Sequence, residues 1–383
     1  VILSGAGQTL DMTNATTGTT LINVELIDIH GTGGNVLTLD HASYLANGVD
    51  PLIVLRQPDD TVNIGSGWTL VSATWDAGRG TYFENFTQSG NSLLVESGAV
   101  VINGTTANVF GTGLDDQFIY NAETNVIQIN GVSYDLNSPG AVDNVHVDGL
   151  AGTDELRMIG TPGNDQVTLI GTDGAEFEFN AGHAGPDLVG VSVENRSFNG
   201  AGGDDTLILP AAGQSLDLTQ FPGSDTRIVE FINVTGTGAN TLVLSTAAAV
   251  ANVSSPLTIN RNADDSVTIG AGWVLGPNAF FDGTKFYEVF NFGGQTLRVE
   301  SLMVTLSGTT INAVGTNLND VISFNAASNV LTINGVAYAL PGTVTMVNVD
   351  GLAGNDQFHG IGGADDDTST SIGWSGAHFE LQP

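Results

Sequence analysis

Six short segments place an aspartate behind a glycine-rich turn and ahead of an apolar residue: GTGLDDQF at 111–118, GLAGTDEL at 149–156, GTPGNDQV at 160–167, GAGGDDTL at 200–207, GTNLNDVI at 315–322 and GLAGNDQF at 351–358. Two chemistries suit a carboxylate in such a turn. It can accept backbone N–H groups and cap the turn. It can also join glycine-directed carbonyl oxygens as a hard ligand for a cation. The acidic doublets Asp59-Asp60 and Asp264-Asp265 raise a third option, the two-carboxylate chemistry of glycoside hydrolysis. Neighbouring residues of a strand point to opposite faces, so a doublet alone does not make that pair, and turn solvation or ion binding is the better reading.

Other chemistries find little support. The six histidines, His30, His41, His146, His183, His359 and His378, lack metal-ligand spacing. No glycine-rich stretch carries the Gly-Lys-Ser/Thr ending of a phosphate loop. Trp68 and Trp273 could stack on a sugar, yet at matching strand positions they read as core residues. With no cysteine, neither disulfides nor thiolate metal sites are available.

Composition narrows the partners. Lys and Arg number 8 against 41 Asp and Glu, a formal net charge of −33. Nucleic acid is excluded as an expected partner, because phosphate binding needs clustered cations. No stretch approaches the roughly 18 apolar residues of a membrane-spanning helix. The opening residues VILSGAGQTL lack a charged leader with an apolar core, which reads as a window onto a longer array. At 41% apolar and 13% charged the chain is too apolar for a disordered linker, so its 51 glycines are expected at turns between strands.

The chain repeats itself. GQTLDMT at 7–13 returns as GQSLDLT at 213–219, DTVNIGSGWTL at 60–70 as DSVTIGAGWVL at 265–275, and TNVIQINGVSYDL at 124–136 as SNVLTINGVAYAL at 328–340. VDGLAGTDEL at 147–156 returns as VDGLAGNDQF at 349–358. The expected organisation is therefore tandem units of about 204 residues, 1–204 and an incomplete 205–383. None of the best-matched repeat positions keeps a histidine in both units. Duplication would preserve a histidine-based triad, so that chemistry is disfavoured.

Short β-branched runs bounded by Gly, Asn, Asp or Pro dominate, and the fold class reads as all-β. Asn130-Gly131 and Asn334-Gly335 predict two-residue hairpins, since a type I′ turn needs positive φ at both positions. DHASYLA at 40–46 and STAAAVA at 245–251 predict one or two helical turns, capped by Asp40 and Ser245. Gly149, Gly160 and Gly171 fall at equal steps, which suggests stacked half-coils. The expected architecture is an elongated β-solenoid, of β-helix or β-roll kind, carrying hairpins. Tandem antiparallel β-sandwiches are the alternative.

The Gly-Asp turns resemble the calcium-binding nonapeptides of repeats-in-toxin, or haemolysin-type, secreted bacterial proteins. The stretch from NVLTLDHASYLA through DTVNIGSGWT to TYFENFTQSGNSLLVES also resembles repeats of giant bacterial adhesins. The resemblance implies an extracellular, cell-surface protein holding Ca²⁺ through Asp154, Asp165, Asp205 and Asp356, with weaker candidates at Asp116, Asp320 and Asp367. The chain departs from that family because its turns are isolated or 11 residues apart instead of tandem. The expected function is a stalk, fibre or surface-layer segment without enzymatic activity. Its expected partners are neighbouring units, copies of itself, or an extracellular polysaccharide or protein ligand. The alternatives are a carbohydrate-active β-helix protein such as a polysaccharide lyase, and a calcium-dependent secretion module.

Overall fold

Alternation along the strands sets the core. In Asn144–Asp148, Val145 and Val147 are buried and their neighbours are not; in Val330–Ile333, Leu331 and Ile333 are buried in the same way. Such period-two burial is what a half-buried strand produces. The computed structural model describes residues 1–13, 21–140, 142–170, 174–179, 187–192, 195–201, 203–217, 229–244, 256–363, 368–372 and 376–380. The chain is all-β apart from one described helix, and it divides into two units, Val1–Gly203 and Asp204–Pro383.

The first unit is organised by parallel ladders. Thr9–Asp11 pairs with Val36–Thr38, which pairs with Thr61–Asn63; Leu26–Asp28 pairs with Leu52–Leu55, which pairs with Asn91–Glu96. Both ladders feed one core, in which Leu37 and Leu39 meet Ile27, Leu52, Val54 and Leu93. Further along, Thr106–Phe110, Asn144–Asp148 and Asp187–Val191 pair in parallel, as do Gln117–Asn121, Glu155–Ile159 and Asn195–Asn199. Antiparallel hairpins interrupt these ladders: Thr69–Asp76 with Thr81–Gln88, and Gln117–Asn121 with Val126–Ile129 and Val132–Asp135.

The second unit repeats the scheme. Ser215–Asp217, Thr241–Leu244 and Ser266–Ile269 form one parallel ladder; Phe231–Asn233, Leu257–Asn260 and Gln295–Glu300 form another. Thr310–Val314 pairs in parallel with Met346–Asp350, and Val321–Asn325 with Gln357–Ile361. Its core gathers Ile311, Val347 and Val349 from one sheet against Ile322, Phe324, Leu331 and Tyr338 from the other.

Both Asn-Gly pairs form the expected hairpin turns. Asn130 and Gly131 have φ of 50° and 85°, and Asn334 and Gly335 of 49° and 86°. The helix His41–Asn47 starts at Asp40, whose carboxylate accepts Ser43 N–H while Ser43 Oγ accepts Asp40 N–H; Gly48 ends it in the left-handed region. The second helical expectation, 245–251, lies outside the described residues. No described helix is long and apolar enough to cross a membrane.

Candidate functional site

The glycine-aspartate turns connect one parallel ladder to the next, and they come in two kinds. In the first, a threonine follows the glycine and the aspartate folds back onto it. Thr112 N–H donates to Asp116 Oδ2 at 2.6 Å and its hydroxyl donates at 3.0 Å, while Thr112 Oγ1 accepts Leu114 N–H. Thr161 and Asp165, and Thr316 and Asp320, repeat this geometry, with N–H to Oδ2 distances of 2.6 and 2.7 Å. The hairpin asparagines close two of these turns: Asn130 Nδ2 donates to Asp116 Oδ1 and Asn334 Nδ2 to Asp320 Oδ1, each at 2.6 Å. One asparagine thus makes a hairpin turn with its backbone and caps a neighbouring turn with its side chain.

In the second kind, the aspartate reaches across to the preceding turn. Asp154 Oδ1 accepts Asp116 N–H at 2.8 Å, and Asp356 Oδ1 accepts Asp320 N–H at 2.9 Å. The glycines opening these turns make room: a β-carbon at Gly149 or Gly351 would stand 2.5 Å from the Oδ2 of Asp154 or Asp356. Leu150 and Leu352, at φ of 67° and 61°, hold the left-handed conformation that only a minority of non-glycine residues adopt. Their N–H groups donate to Asp148 and Asp350, an Asx turn that offsets part of the strain.

The same device runs through the earlier part of each unit. Gln8 N–H donates to Asn35 Oδ1 and Asn35 N–H to Asp60 Oδ1; Gln214 N–H donates to Asn240 Oδ1 and Asn240 N–H to Asp265 Oδ1. Asp205 N–H donates to Glu230. In each of these pairs a turn N–H is satisfied by a side chain of a neighbouring turn, 25 to 38 positions away. The acidic doublets fit this scheme: Asp60 and Asp265 are buried and accept two backbone N–H groups each, while Asp59 and Asp264 face solvent.

A calcium ion takes about six to eight oxygen ligands. Among the described residues no three His, Asp or Glu side chains gather as a metal site. The carboxylates of Asp116, Asp165 and Asp320 instead face N–H and O–H donors, which repel a cation. Burial pushes the Asp320 carboxyl upward, but the Asn334 amide and the Thr316 N–H and hydroxyl outweigh it and hold the group below the usual carboxylate range. As arranged, Asp116, Asp165 and Asp320 act as turn caps. Asp154 and Asp205 are fully buried, Asp356 is half-buried, and Asp367 lies outside the described residues.

A second buried cluster escapes sequence reading. Glu84 Oε1 accepts Ser97 Oγ–H at 2.7 Å and Tyr134 Oη–H at 3.0 Å. At the matching positions, Ser301 Oγ lies 3.3 Å from both Glu288 Oε1 and Tyr338 Oη. A serine beside a carboxylate is the start of a nucleophile and its base. Here Ser97 is 4% and Ser301 2% exposed, and backbone N–H groups donate to both hydroxyls, so the cluster is a joint between strands. Burial is the largest influence on Glu288 and raises its carboxyl, opposed by the nearby Arg261 charge and by Ser301 and Tyr338. Burial likewise raises the Tyr134 and Tyr338 hydroxyls. The available signal was recurrence: Glu, Ser and Tyr stand at equivalent places in both repeats.

Beside each joint an arginine crosses to a glutamate. Arg56 Nε donates to Glu96 O at 2.8 Å and Arg261 Nε to Glu300 O at 3.0 Å. The charge partners differ: Glu96 meets His30 Nε2 at 3.0 Å, with Asp28 at the other ring nitrogen, whereas Glu300 meets Lys285 at 2.8 Å. Trp68 packs edge-on against His41 and Tyr44, and Trp273 lies tilted against Phe292; both are half-buried.

No protein-family model matches the chain, and no curated protein matches it.

Proposed function

We propose that the chain is a structural, adhesive segment of a large secreted bacterial surface protein, a stalk or fibre without catalytic activity. In this reading the stacked parallel ladders are rungs of an elongated β-solenoid, and the hairpins are excursions from it. The observation that carries the proposal is the cap ladder, built the same way in both units from side chains of successive turns. A device that satisfies each turn from its neighbour can be extended by adding rungs, which suits a length-making module. The neighbours it needs are further units or copies of itself, and the resemblance to adhesin repeats supplies the extracellular setting. In the array we propose, Asp116, Asp165 and Asp320 serve as caps, since each accepts two or three donors that it would have to lose to take a cation.

Small-angle X-ray scattering tests the shape. A compact chain of this length has a radius of gyration of about 21 Å. The proposal expects a value well above that, and a value near it contradicts the stalk. Brief protease treatment of intact producing cells tests the location: peptides of this chain should be released without cell lysis, and their retention inside the cells contradicts a surface role.

A further inference from the structure

Among the described residues of the second unit, Arg298 is the cation left without an anion. It lies on Gln295–Glu300, opposite Val289 on one side and Thr258 on the other, and its guanidinium carbon sits 3.6 Å from the centre of the Phe280 ring. Its Nε is shielded from solvent without a hydrogen-bond partner. Among the described residues its guanidinium makes no hydrogen bond or ion pair. Arg56, Arg79, Arg261 and Lys285 by contrast each donate to a carboxylate or carbonyl oxygen. In a chain of net charge −33 a half-buried arginine without an acid is unexpected.

The first unit avoids the situation. Leu94 stands where Arg298 does, within the matching runs GNSLLVES and GGQTLRVES. Thr74, paired with Phe83, stands where Phe280 pairs with Tyr287. Both changes occur together in the second unit, and they put a stacked, partly desolvated cation where the first unit has a leucine. Stacking on Phe280 offsets part of that cost, but it uses the guanidinium face and leaves the terminal Nη edge, not the shielded Nε, to donate. A planar fork of donors matches a carboxylate in two-point contact.

We infer that Arg298, held over Phe280, is a binding site for a carboxylate group of an external ligand, present in the second unit and absent from the first. The local acids do not fill it: Asp282 accepts Thr284, Lys285 and Tyr287, and Glu300 accepts Lys285 and Arg261 N–H. Burial lowers the Arg298 group from its ordinary value, opposed by Tyr287, in keeping with a cation lacking its counter-ion. The inference is independent of the stalk reading.

Calorimetric titration of the whole chain with D-galacturonate, acetate, D-galactose and sulfate at low ionic strength tests it. Galacturonate and acetate should bind and galactose should not. Arg298→Leu, which installs the first unit's residue, should weaken binding roughly tenfold or more, as loss of a charged two-point contact does. Arg298→Lys, which keeps the charge and the fold but loses the fork, should weaken it less. Tighter binding of galacturonate than acetate would add the sugar ring to what is recognised. Absence of carboxylate binding, or equal binding by Arg298→Leu in a folded protein, overturns the inference and leaves a stacking contact only. Sulfate binding as tightly as the carboxylates overturns the carboxylate assignment.

Discussion

The two units hold the same buried joints and differ in the charges around them. Glu84, Ser97 and Tyr134 in the first unit, and Glu288, Ser301 and Tyr338 in the second, occupy matching strands, as do the capped aspartates Asp116 and Asp320. Yet Glu96 meets His30 where Glu300 meets Lys285, and Leu94 gives way to Arg298. The difference teaches where sequence freedom ends. A buried polar group must keep its partner or lose about 1–3 kcal/mol, whereas a half-exposed ion pair is worth little.

The comparison can be broken at its strongest point first. Asp116→Ala strands the Thr112 N–H and the Asn130 amide, and Asp320→Ala strands Thr316 and Asn334. Each should lower the stability of its unit by about 3 kcal/mol, and the two losses should agree within about 0.5 kcal/mol, as read by urea unfolding. Unequal losses would show that the two turns are not the same device.

Tyrosine removal should weaken both joints. Tyr134 donates to Glu84, and Tyr338 lies against Ser301 and reaches Glu288. Tyr134→Phe and Tyr338→Phe should each cost about 1–2 kcal/mol, and a difference of more than about 1 kcal/mol would show that the joints are not equivalent.

A pH series gives a smaller effect with opposite signs at two sites. The folded Glu288 carboxyl lies above its unfolded value, so the folded state holds more protons and stability contributed there falls as pH rises from about 4.5 through the folded value. Glu288→Gln should therefore gain on the wild type in melting temperature as pH rises over that window. Asp320 is held below its unfolded value, so its contribution is present above about pH 3.8 and is lost as pH falls through the folded value. Asp320→Asn should lose its disadvantage only in strong acid. The smallest effect is expected at Arg79→Ala, whose exposed pair with Asp76 should leave the urea midpoint essentially unchanged.

Local features were legible in the chain. The Asn-Gly hairpins, the Asp40 cap and the opposite facing of Asp59 and Asp60 all follow from neighbours in sequence, where turn and strand geometry suffices. The partners of the cap ladder were not, because Asn35 finds Asp60 and Asp116 finds Asp154 only once parallel register is set. The Glu84 joint was hidden for the same reason: its members are 13 and 50 residues apart. The resemblance to calcium-binding nonapeptides singled out these turns, but a motif cannot say whether donors or an ion face its carboxylates.

The most direct test of the cap reading is the thermal unfolding of the whole chain in excess EGTA and in millimolar CaCl₂ at fixed ionic strength. Aspartates that serve as turn caps predict the same melting temperature in both and a full β spectrum without calcium. A calcium-specific rise, worth about 2.7 kcal/mol per site at a hundredfold excess over the dissociation constant, would contradict it and make these turns ion sites.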